Sequence, residues 1–592
     1  MQKRVASLFA GSALMVASAL GIAGAAATTA APAAQSLPVP TPLARMLSHA
    51  FAAPPTTAEC EQSLGVACYS PAQFQTAYDL APLYKAGDNG SGETIVIVDS
   101  FGYQNIRAEL AAFDKGFGLP APPSFKIIQP AGQVPAFNPQ KYPQMVGWAQ
   151  ETSLDVEYSH AIAPGANILL VETPVSETRG THGFPQIVKA ENYVISRHLG
   201  TVISQSFGAA EAGFPSAQSI MGLRSAYVNA AANGVTVLGA TGDGGATAPE
   251  AITAQGNVTS FFLHRVSAWP ATDPLVTAVG GTQLHLDASG NRTEPDSVWN
   301  DTSLLGSPAA GAGGLSTVFS RPSYQDGVSG AVGSWRGVPD IAMSAAVNGA
   351  ALVWLDAGAA QGSAGYYLIG GTSEASPEFA GVVAIADQVA GHGLGLINPA
   401  LYKMEAAHDP GILDVTAGTN TVTFPQGGSQ HTVRGWDAAS GYDLASGVGT
   451  IDAAQFVPEL VAAVGGSHRP ALSARWGARR ATCRRRAPPF PAALHRSPPG
   501  ASAPAGPLGT SGGPPAVPGV DACCRAPFGL ARQPGDQPGS RPARPTTRSS
   551  SGASSSRTRA GPNATSGPAG ASGLANICRN RSAASRMSGS QA

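Results

Sequence analysis

The chain has 592 residues, with 36 basic and 37 acidic side chains and a formal net charge of −1 at pH 7. This length allows a large core and more than one region, and the overall balance does not favour nucleic acid as a partner. The total hides an asymmetry, because residues 467–592 hold 18 arginines and only two acidic residues. The preceding part therefore holds 18 basic and 35 acidic groups, a net of −17. Such a surface loses its self-repulsion as pH falls, which favours work in acid.

Residues 1–27 have the pattern of a secretory signal peptide. Lys3 and Arg4 form a short positive region, an apolar stretch follows, and several alanines offer cleavage sites. Glu378 and Asp387 interrupt the best later apolar stretch, so we expect no stable membrane span. The sequence therefore predicts a secreted, extracellular protein.

Composition divides the rest of the chain into three parts. Residues 28–68 are rich in alanine, proline and threonine, which indicates a short pro-segment or a linker. Residues 69–464 form the expected compact domain. Residues 465–592 are rich in Arg, Pro, Ser, Gly and Ala and are predicted to be a disordered tail, because they cannot bury enough apolar surface. Cys60 and Cys68 precede this tail and can close a small disulfide loop in an exported chain.

Apolar strands and helical stretches alternate within the compact domain. The predicted strands are 94–99, 167–172, 202–207, 235–240, 275–279, 352–355 and 366–369. The predicted helices include one starting at Pro71 and the stretches 105–117, 145–161, 217–233 and 373–390. This alternation indicates an α/β fold with a mostly parallel central sheet flanked by helices on both faces. In such sheets, functional residues gather at the carboxyl ends of the strands.

The run from Gly370 to Pro377 joins a predicted strand to a predicted helix. Two glycines allow a tight turn, and Pro377 suits the first helical turn, where a missing N–H costs nothing. Ser373 would then lie at the positive end of the helix, which suits a nucleophile whose attack creates an oxyanion. Taken alone, this stretch favours the interpretation that Thr372 or Ser373 is only an N-cap.

Two further stretches carry carboxylates. Glu151 and Asp155 are four residues apart on a predicted helix, so they share one face and would titrate as a coupled pair. The alternative is a solvated acidic face. Asp243 follows a predicted strand within a glycine-rich turn, where it is either a turn residue or a carboxyl group that donates a hydrogen bond when protonated.

These stretches, in this order, resemble the sedolisins, the serine-carboxyl peptidases with a subtilisin-like fold. The matching segments are Glu151-Thr-Ser-Leu-Asp155, Thr241-Gly-Asp243-Gly-Gly-Ala and Gly371-Thr372-Ser373 with Pro377. The resemblance extends through 202–208, 337–345 and 441–449 and covers nearly all of 69–455. It implies a secreted endopeptidase that cleaves proteins or peptides in acid. The implied roles are nucleophile for Ser373, general base for Glu151, partner of that base for Asp155 and oxyanion donor for Asp243.

The same resemblance implies one structural calcium ion near the end of the domain. Its ligands would be the carboxylates of Asp414 and Asp443 and the carbonyl oxygens of Val415, Ala439 and Gly441. Asp437 is a rival ligand in the same stretch. We expect the protein to be a monomer.

Two alternatives remain open from the residues. Asp99 ends the first predicted strand, and Gly180-Thr-His182-Gly faintly resembles a histidine motif, so a subtilisin-type Asp/His/Ser protease is possible. His160 is better interpreted as a helix-end histidine than as a base. The other alternative is a non-catalytic, calcium-stabilised binding protein of the same fold, although such a protein has no chemical need to keep all four candidate catalytic residues.

Overall fold

The computed structural model describes residues 41–42, 45–175, 183–253 and 257–465, which belong to one compact unit. The predictions for the signal peptide, for most of the segment preceding residue 45, for His182 and for the tail beyond residue 465 lie outside these ranges. Among the described residues, no helix combines the length and the apolar composition that a membrane crossing requires.

The helices of this region vary from one turn to five. They are α1 (Thr57–Leu64), α2 (Pro71–Ala77), α3 (Ala81–Ala86), α4 (Ile106–Phe117), α5 (Met145–Ile162), α6 (Gly183–Ser196), α7 (Ala217–Met221), α8 (Ser225–Ala232), α9 (Thr302–Leu305), α10 (Ser329–Val332), α11 (Ala357–Ala360), α12 (Thr372–Ala390), α13 (Asn398–Ala407) and α14 (Ala453–Val464). Two 3-10 turns lie at Glu211–Gly213 and Ser323–Val328.

The strands are mostly short. They are β1 (Thr41–Pro42), β2 (Arg45–Phe51), β3 (Cys68–Tyr69), β4 (Thr94–Ser100), β5 (Phe125–Ile128), β6 (Asn167–Thr173), β7 (Val202–Gln205), β8 (Phe207–Ala210), β9 (Thr236–Ala240), β10 (Pro249–Ile252), β11 (Val258–Phe261), β12 (Ala268–Trp269), β13 (Thr277–Gln283), β14 (Ser297–Val298), β15 (Gly314–Ser320), β16 (Trp335–Val338), β17 (Ile341–Ser344), β18 (Ala350–Leu355), β19 (Gly365–Gly370), β20 (Ile412–Leu413), β21 (Val422–Gln426), β22 (Ser429–Val433) and β23 (Thr450–Ile451).

The central sheet has eight strands in the order β14-β13-β9-β7-β4-β6-β5, with β17 also pairing with β13. Every pairing in it is parallel except that of β13 with the short edge strand β14. The prediction of a mostly parallel central sheet is therefore confirmed. Because parallel strands need crossover helices, this order also explains why strands and helices alternate along the chain.

The two faces of this sheet bury two separate cores. Along β4, Ile95 and Ile97 belong to one core, while Val96 and Val98 belong to the other. This is the alternation that a strand covered on both faces requires. Helices α5 and α12 pack against each other in the first core, and α6 and α8 pack together in the second. The helices on both faces of the sheet are thus as predicted.

Several predicted elements differ in detail. The predicted strand 202–207 is interrupted at Ser206, and the predicted helix 217–233 is two helices, since α7 ends at Met221 and α8 begins at Ser225. The predicted strand 275–279 lies further along, as β13. The predicted strands 352–355 and 366–369 form an antiparallel hairpin, β18–β19, in a separate four-stranded sheet of order β2-β19-β18-β3.

The compact structure begins before residue 69, the boundary expected from composition. Strand β2 pairs with β19. The N-terminus of α1 is capped by Thr56, which forms a capping box with Glu59. A disulfide joins Cys60 to Cys68, and both residues are fully buried. The predicted cysteine loop is therefore confirmed.

Candidate active site

Ser373 is the second residue of α12 and is fully buried. Strand β19 leads into the helix through Gly371, whose φ of 123° favours glycine. A Cβ at Gly370 would lie 2.9 Å from the carbonyl oxygen of Ala345, so glycine is required there as well. Gly371 occupies the N-cap position, and neither Thr372 nor Ser373 is therefore an N-cap residue.

Helix α12 begins at Thr372, so Pro377 lies in its second turn. The prediction that Pro377 lies in the first turn is therefore wrong. At this position, proline removes the N–H that would bond to the carbonyl of Ser373 four residues earlier. Ser206 Oγ lies 3.4 Å from that carbonyl oxygen instead. The proline thus leaves the backbone at the candidate nucleophile available to a neighbouring side chain.

Helix α5 carries Glu151 and Asp155, and both are fully buried. The alternative of a solvated acidic face is therefore wrong. Burial, followed by the negative charges of Asp99 and Glu151, raises the pKa of Asp155 well above its ordinary value. Two carboxyl groups one turn apart in a dry site cannot both ionise easily, so this pair is suited to sharing a proton.

Ser206 connects this helix to the nucleophile. Its Oγ donates a 2.8 Å hydrogen bond to Asp155 Oδ1 and lies 3.4 Å from the carbonyl oxygen of Ser373. In turn, Ser373 Oγ lies 3.5 Å from the carbonyl oxygen of Ser206. Ser206 was not among the predicted site residues. In the sequence, Ser206 could have been found as a polar residue near the carboxyl end of the predicted strand 202–207, where functional residues gather.

Asp243 lies on the other side of the start of α12. Its Oδ1 accepts hydrogen bonds from the Thr372 backbone N–H at 2.8 Å and from Thr372 Oγ1 at 3.0 Å. Thr372 Oγ1 also accepts a bond from the N–H of Gly242 at 3.0 Å, which fixes the turn that carries Asp243. Burial raises the pKa of Asp243 to about 6, while the charge of Arg45 and the bonds from Thr372 act to lower it. A protonated Asp243 is therefore accessible in mild acid.

Asp99 also belongs to this site, although its sequence position suggested only the first member of a subtilisin triad. It lies near the carboxyl end of β4, is fully buried and acts electrostatically on Asp155. Burial, and then the charge of Glu172, raise the pKa of Asp99 to about 7. His160 lies in the last turn of α5, as expected of a helix-end histidine, and its Nε2 is 2.7 Å from the carbonyl oxygen of Pro120.

The predicted calcium ligands lie in two adjoining loops. Asp414 Oδ2 accepts a 3.0 Å hydrogen bond from the N–H of Gly441, and Asp443 Oδ2 accepts one of 2.9 Å from the N–H of Ala439. Ser446 bridges the Asp443 carboxylate, at 3.1 Å, to the carbonyl oxygen of Val415, at 3.5 Å.

The oxygen-rich composition of these two loops fits a hard cation such as Ca²⁺. Asp437, the rival ligand, is exposed and pairs through its backbone with Thr419. Within the described ranges, no three Asp, Glu, His or Cys side chains converge as a metal-binding group. A calcium site here would therefore depend on carbonyl oxygens.

Comparison with known proteins shows that this chain is similar to peptidases. Kumamolisin from Bacillus sp. (strain MN-32) is 32% identical over 398 residues, which are 66% of this chain and 63% of kumamolisin. Sedolisin from Pseudomonas sp. (strain 101) is 28% identical over 389 residues, 65% of this chain and 60% of that protein. The chain thus spans about three fifths of the length of these two relatives. No family model matches.

A solved structure extends the likeness to the fold. The structure of Pseudomonas sedolisin, a serine-carboxyl proteinase complexed with two molecules of pseudo-iodotyrostatin, superposes with a TM-score of 0.54 at 27% identity and covers 66% of this chain and 97% of the sedolisin chain. The fold is therefore that of the serine-carboxyl proteinases. The chain is a homologue of kumamolisin and sedolisin, and the homologues are named peptidases of the sedolisin family.

Proposed function

We propose that this protein is a secreted serine-carboxyl endopeptidase that hydrolyses peptide bonds in proteins or peptides at acidic pH. The observation that carries the proposal is the convergence of two helices and a strand end on Ser373. Asp155 is connected to the Ser373 backbone through Ser206, and Asp243 bonds to the residue immediately before the nucleophile. All of these side chains are buried, so their mutual interactions are strong.

In the acylation step, Ser373 Oγ attacks the carbonyl carbon of the scissile bond and its proton passes to the Glu151 carboxylate. Asp155 shares a proton with Glu151 and keeps it oriented, as the third member of a triad does. The carbonyl oxygen becomes an oxyanion, to which protonated Asp243 donates a hydrogen bond. The C–N bond then breaks, and Glu151 returns its proton to the leaving amine.

In the deacylation step, a water molecule takes the place of the amine. Glu151 accepts one proton from the water as its oxygen attacks the acyl carbon, and Asp243 again stabilises the oxyanion. Collapse of this intermediate releases the new carboxyl group and returns the proton to Ser373 Oγ. Both steps need an ionised Glu151 and a protonated Asp243.

The acidic optimum follows from these protonation states. Only the acid form of Asp243 can donate a hydrogen bond, and its pKa is about 6. Activity should therefore be present below about pH 6 and decline as pH rises through that value. The net charge of −17 before residue 467 favours the same conditions.

Calcium binding and secretion complete the proposal. Asp414, Val415, Ala439, Gly441 and Asp443 would hold one structural calcium ion, which would fix the two loops at the end of the domain. The buried Cys60–Cys68 disulfide suits an oxidising compartment, as the signal-like N-terminus does. The protein is proposed to act as a monomer.

Replacement of the nucleophile tests this function. Ser373→Ala should lower the rate of hydrolysis of a denatured protein by more than about 10³-fold, because no acyl-enzyme can form. Ser376→Ala is the matched control, since Ser376 is buried in the same helix and bonds only to Ser204 Oγ at 2.9 Å in the described structure. Equal activity of the two variants would refute the assignment of Ser373.

A further inference from the structure

Two β-hairpins are attached to the turn that carries Asp243. The turn continues to Ala246, whose N–H donates a 3.0 Å hydrogen bond to the carbonyl oxygen of Asn420, just before β21. The carbonyl oxygen of Ala246 accepts a 3.2 Å hydrogen bond from the N–H of Val266, which follows β11. Ala246 is three residues after Asp243, so their Cα atoms lie within about 11 Å of each other. The hairpins β10–β11 and β21–β22 therefore lie beside the candidate active site.

The two hairpins pack against each other. The Phe261 N–H donates a 2.7 Å hydrogen bond to Gln426 Oε1, and Gln426 Nε2 donates one of 3.1 Å to the carbonyl oxygen of Phe261. The rings of Phe261 and Phe424 meet edge to face, with their centroids 5.5 Å apart. These contacts fix one hairpin relative to the other. We call strands β10, β11, β21 and β22, together with residues 262–266 and 434–436, the hairpin wall.

Two exposed arginines meet on the hairpin wall. Arg265 Nε donates a 2.6 Å hydrogen bond to the carbonyl oxygen of Arg434, and the Arg265 guanidinium carbon lies 4.6 Å from the ring centroid of Trp436. Neither arginine forms an ion pair with any residue that the structure describes. A carbonyl oxygen and an aromatic ring carry no net charge, so both positive charges remain available to an anion.

The surroundings of these arginines differ from the rest of the domain. The chain before residue 467 has a net charge of −17. The wall and its border hold only two acidic residues, Glu250 and Asp437, and within the described ranges neither is ion-paired with the arginines. The wall also contains His264 and His431, and histidine is the side chain that becomes cationic as pH falls below neutral. The acidic excess of the domain is therefore absent from this surface.

We propose that the hairpin wall is a subsite for acidic side chains of the substrate, in which Arg265 and Arg434 bind a carboxylate of the peptide. The proposal rests on the proposed function, because it needs a peptide held at Ser373. It adds a substrate class, namely peptides with Asp or Glu near the scissile bond. An extended peptide advances about 3.3 Å per residue, so the wall is within reach of side chains up to about five residues from that bond.

Arginine suits this role in mild acid. Its planar guanidinium can donate two parallel hydrogen bonds to one carboxylate, and it stays charged at every pH at which a protein is folded. Substrate carboxyl groups with an ordinary pKa of about 4 are ionised at pH 5. The pKa of Asp243 is about 6, so Asp243 is largely protonated at that pH. The subsite and the oxyanion donor can therefore operate together.

Matched peptides test this preference. A peptide that the wild type cleaves would be identified by digestion of a denatured protein, and cysteic acid or glutamine placed in turn at each position up to about five residues from the scissile bond. Cysteic acid is used because its sulfonate stays ionised throughout the assay. At pH 5, kcat/KM should be about tenfold higher for cysteic acid at one or two positions, since two exposed ion pairs supply about that factor. High salt should reduce the advantage, because exposed charges are screened.

Arginine variants connect the preference to the hairpin wall. Arg434→Gln should reduce the advantage to about threefold, and combining it with Arg265→Gln should abolish it, while kcat/KM for the glutamine peptide changes by less than about twofold. Arg107→Gln is the matched control and should keep the full advantage. Arg107 is also exposed, also bonds to a carbonyl oxygen, that of Phe125 at 2.7 Å, and also lies over a ring, at 4.7 Å.

A second measurement does not depend on catalysis. In the Ser373→Ala chain, the dissociation constants of the cysteic acid peptide and of the glutamine peptide would be compared at pH 5 by calorimetric titration. The cysteic acid peptide should bind about tenfold more tightly, and the difference should disappear when Arg265→Gln and Arg434→Gln are added.

The outcomes separate the subsite from the function. Hydrolysis that depends on Ser373 but is equal for cysteic acid and glutamine at every position would overturn the subsite and leave the peptidase standing. An acidic advantage that is the same in the double arginine variant and in Arg107→Gln would also overturn it. Absence of hydrolysis of any peptide, together with arginine-dependent binding of the cysteic acid peptide, would keep the acid-binding wall and refute the peptidase instead.

Discussion

Helix α12 lies beside two sets of buried carboxyl groups, and burial has a different consequence in each set. Near its first turn, Ser373 lies between Asp155 and Asp243, whose carboxylates accept hydrogen bonds from Ser206 and Thr372. One residue later begins a second acidic pair, Glu374 and Glu378, which is fully buried and has no hydrogen-bond partner for its carboxylate oxygens among the described residues.

Burial raises the pKa in both sets, so a raised pKa does not by itself identify a catalytic residue. The difference lies in the surroundings. Asp155 and Asp243 are fixed by defined donors beside a hydroxyl group, whereas Glu378 lies in the core, where its charge acts on Tyr78 and Tyr158. We therefore expect the first set to control the rate and the second to control stability.

The largest effect is expected on catalysis, when the carboxyl group of Asp243 is replaced. Asp243→Ala should lower kcat by about 10²–10³-fold, because one oxyanion donor is removed. Asp243→Asn should keep most of the activity in acid, since an amide can accept from Thr372 and still donate. Asp243→Asn should also remove the decline in activity near pH 6, because an amide does not titrate. Initial rates between pH 3 and pH 8 check both variants.

A wild-type rate in Asp243→Ala, with unchanged thermal unfolding, would contradict the role of Asp243. Glu374→Gln provides the contrast, because it changes a buried carboxyl group that the mechanism does not use. Its rate in acid should stay within about threefold of wild type, since any change would act through Asp243 indirectly.

A smaller effect concerns stability and pH. The pKa of Glu378 is raised well above its ordinary value, mainly by burial and then by Glu374, so the folded state binds a proton more tightly than the unfolded state does. Its contribution to stability is therefore fully present below the unfolded pKa and is lost as pH rises. Glu378→Gln should raise the free energy of unfolding at pH 7 relative to wild type by at least about 1 kcal/mol.

At pH 4, the same substitution should change the free energy of unfolding little, because the wild-type carboxyl group is already neutral. Denaturant unfolding at the two pH values measures the difference. A Glu378→Gln variant that loses equal stability at both would show that the carboxyl group makes a bond that glutamine cannot replace.

A separate effect on stability is expected at the calcium loops, which lie apart from both acidic sets. A chelator should remove about 2.7 kcal/mol of stability if free calcium had been held at a hundredfold excess over its Kd. Asp414→Asn should abolish that response, while Asp437→Asn should keep it. Thermal unfolding with and without chelator checks this, and an unchanged response in Asp414→Asn would rule out the assigned ligand.

Much of the fold could be predicted because local patterns are strong where the site is built. Strand β4 and helices α5 and α12 lie within one residue of their predicted bounds, since residues 95–98 of β4 are an unbroken apolar run and both helices are long. The resemblance to the sedolisins and the mostly parallel sheet were also confirmed. The order of Glu151, Asp155, Asp243 and Ser373 along the chain carried the site hypothesis.

The contacts that were missed join segments far apart in sequence. Arg45 lies in a stretch whose composition indicates a linker, and only its pairing with β19 brings it to Asp243. Asp99 is the last residue but one of β4 and Ser206 directly follows β7, but the strand order that brings them near Asp155 is not encoded locally. Pro377 was misplaced because helix ends are weakly specified by sequence, and Pro377 is in fact the sixth residue of α12.

The most direct test of the central claim is a pH–rate profile for hydrolysis of a denatured protein by the wild type and by Glu151→Gln. A carboxylate-activated serine predicts maximal wild-type activity in acid, a decline as pH rises through about 6, and a loss of at least about 10³-fold in Glu151→Gln at every pH. A maximum near neutral pH, with activity retained in Glu151→Gln, would contradict the account and favour a histidine base.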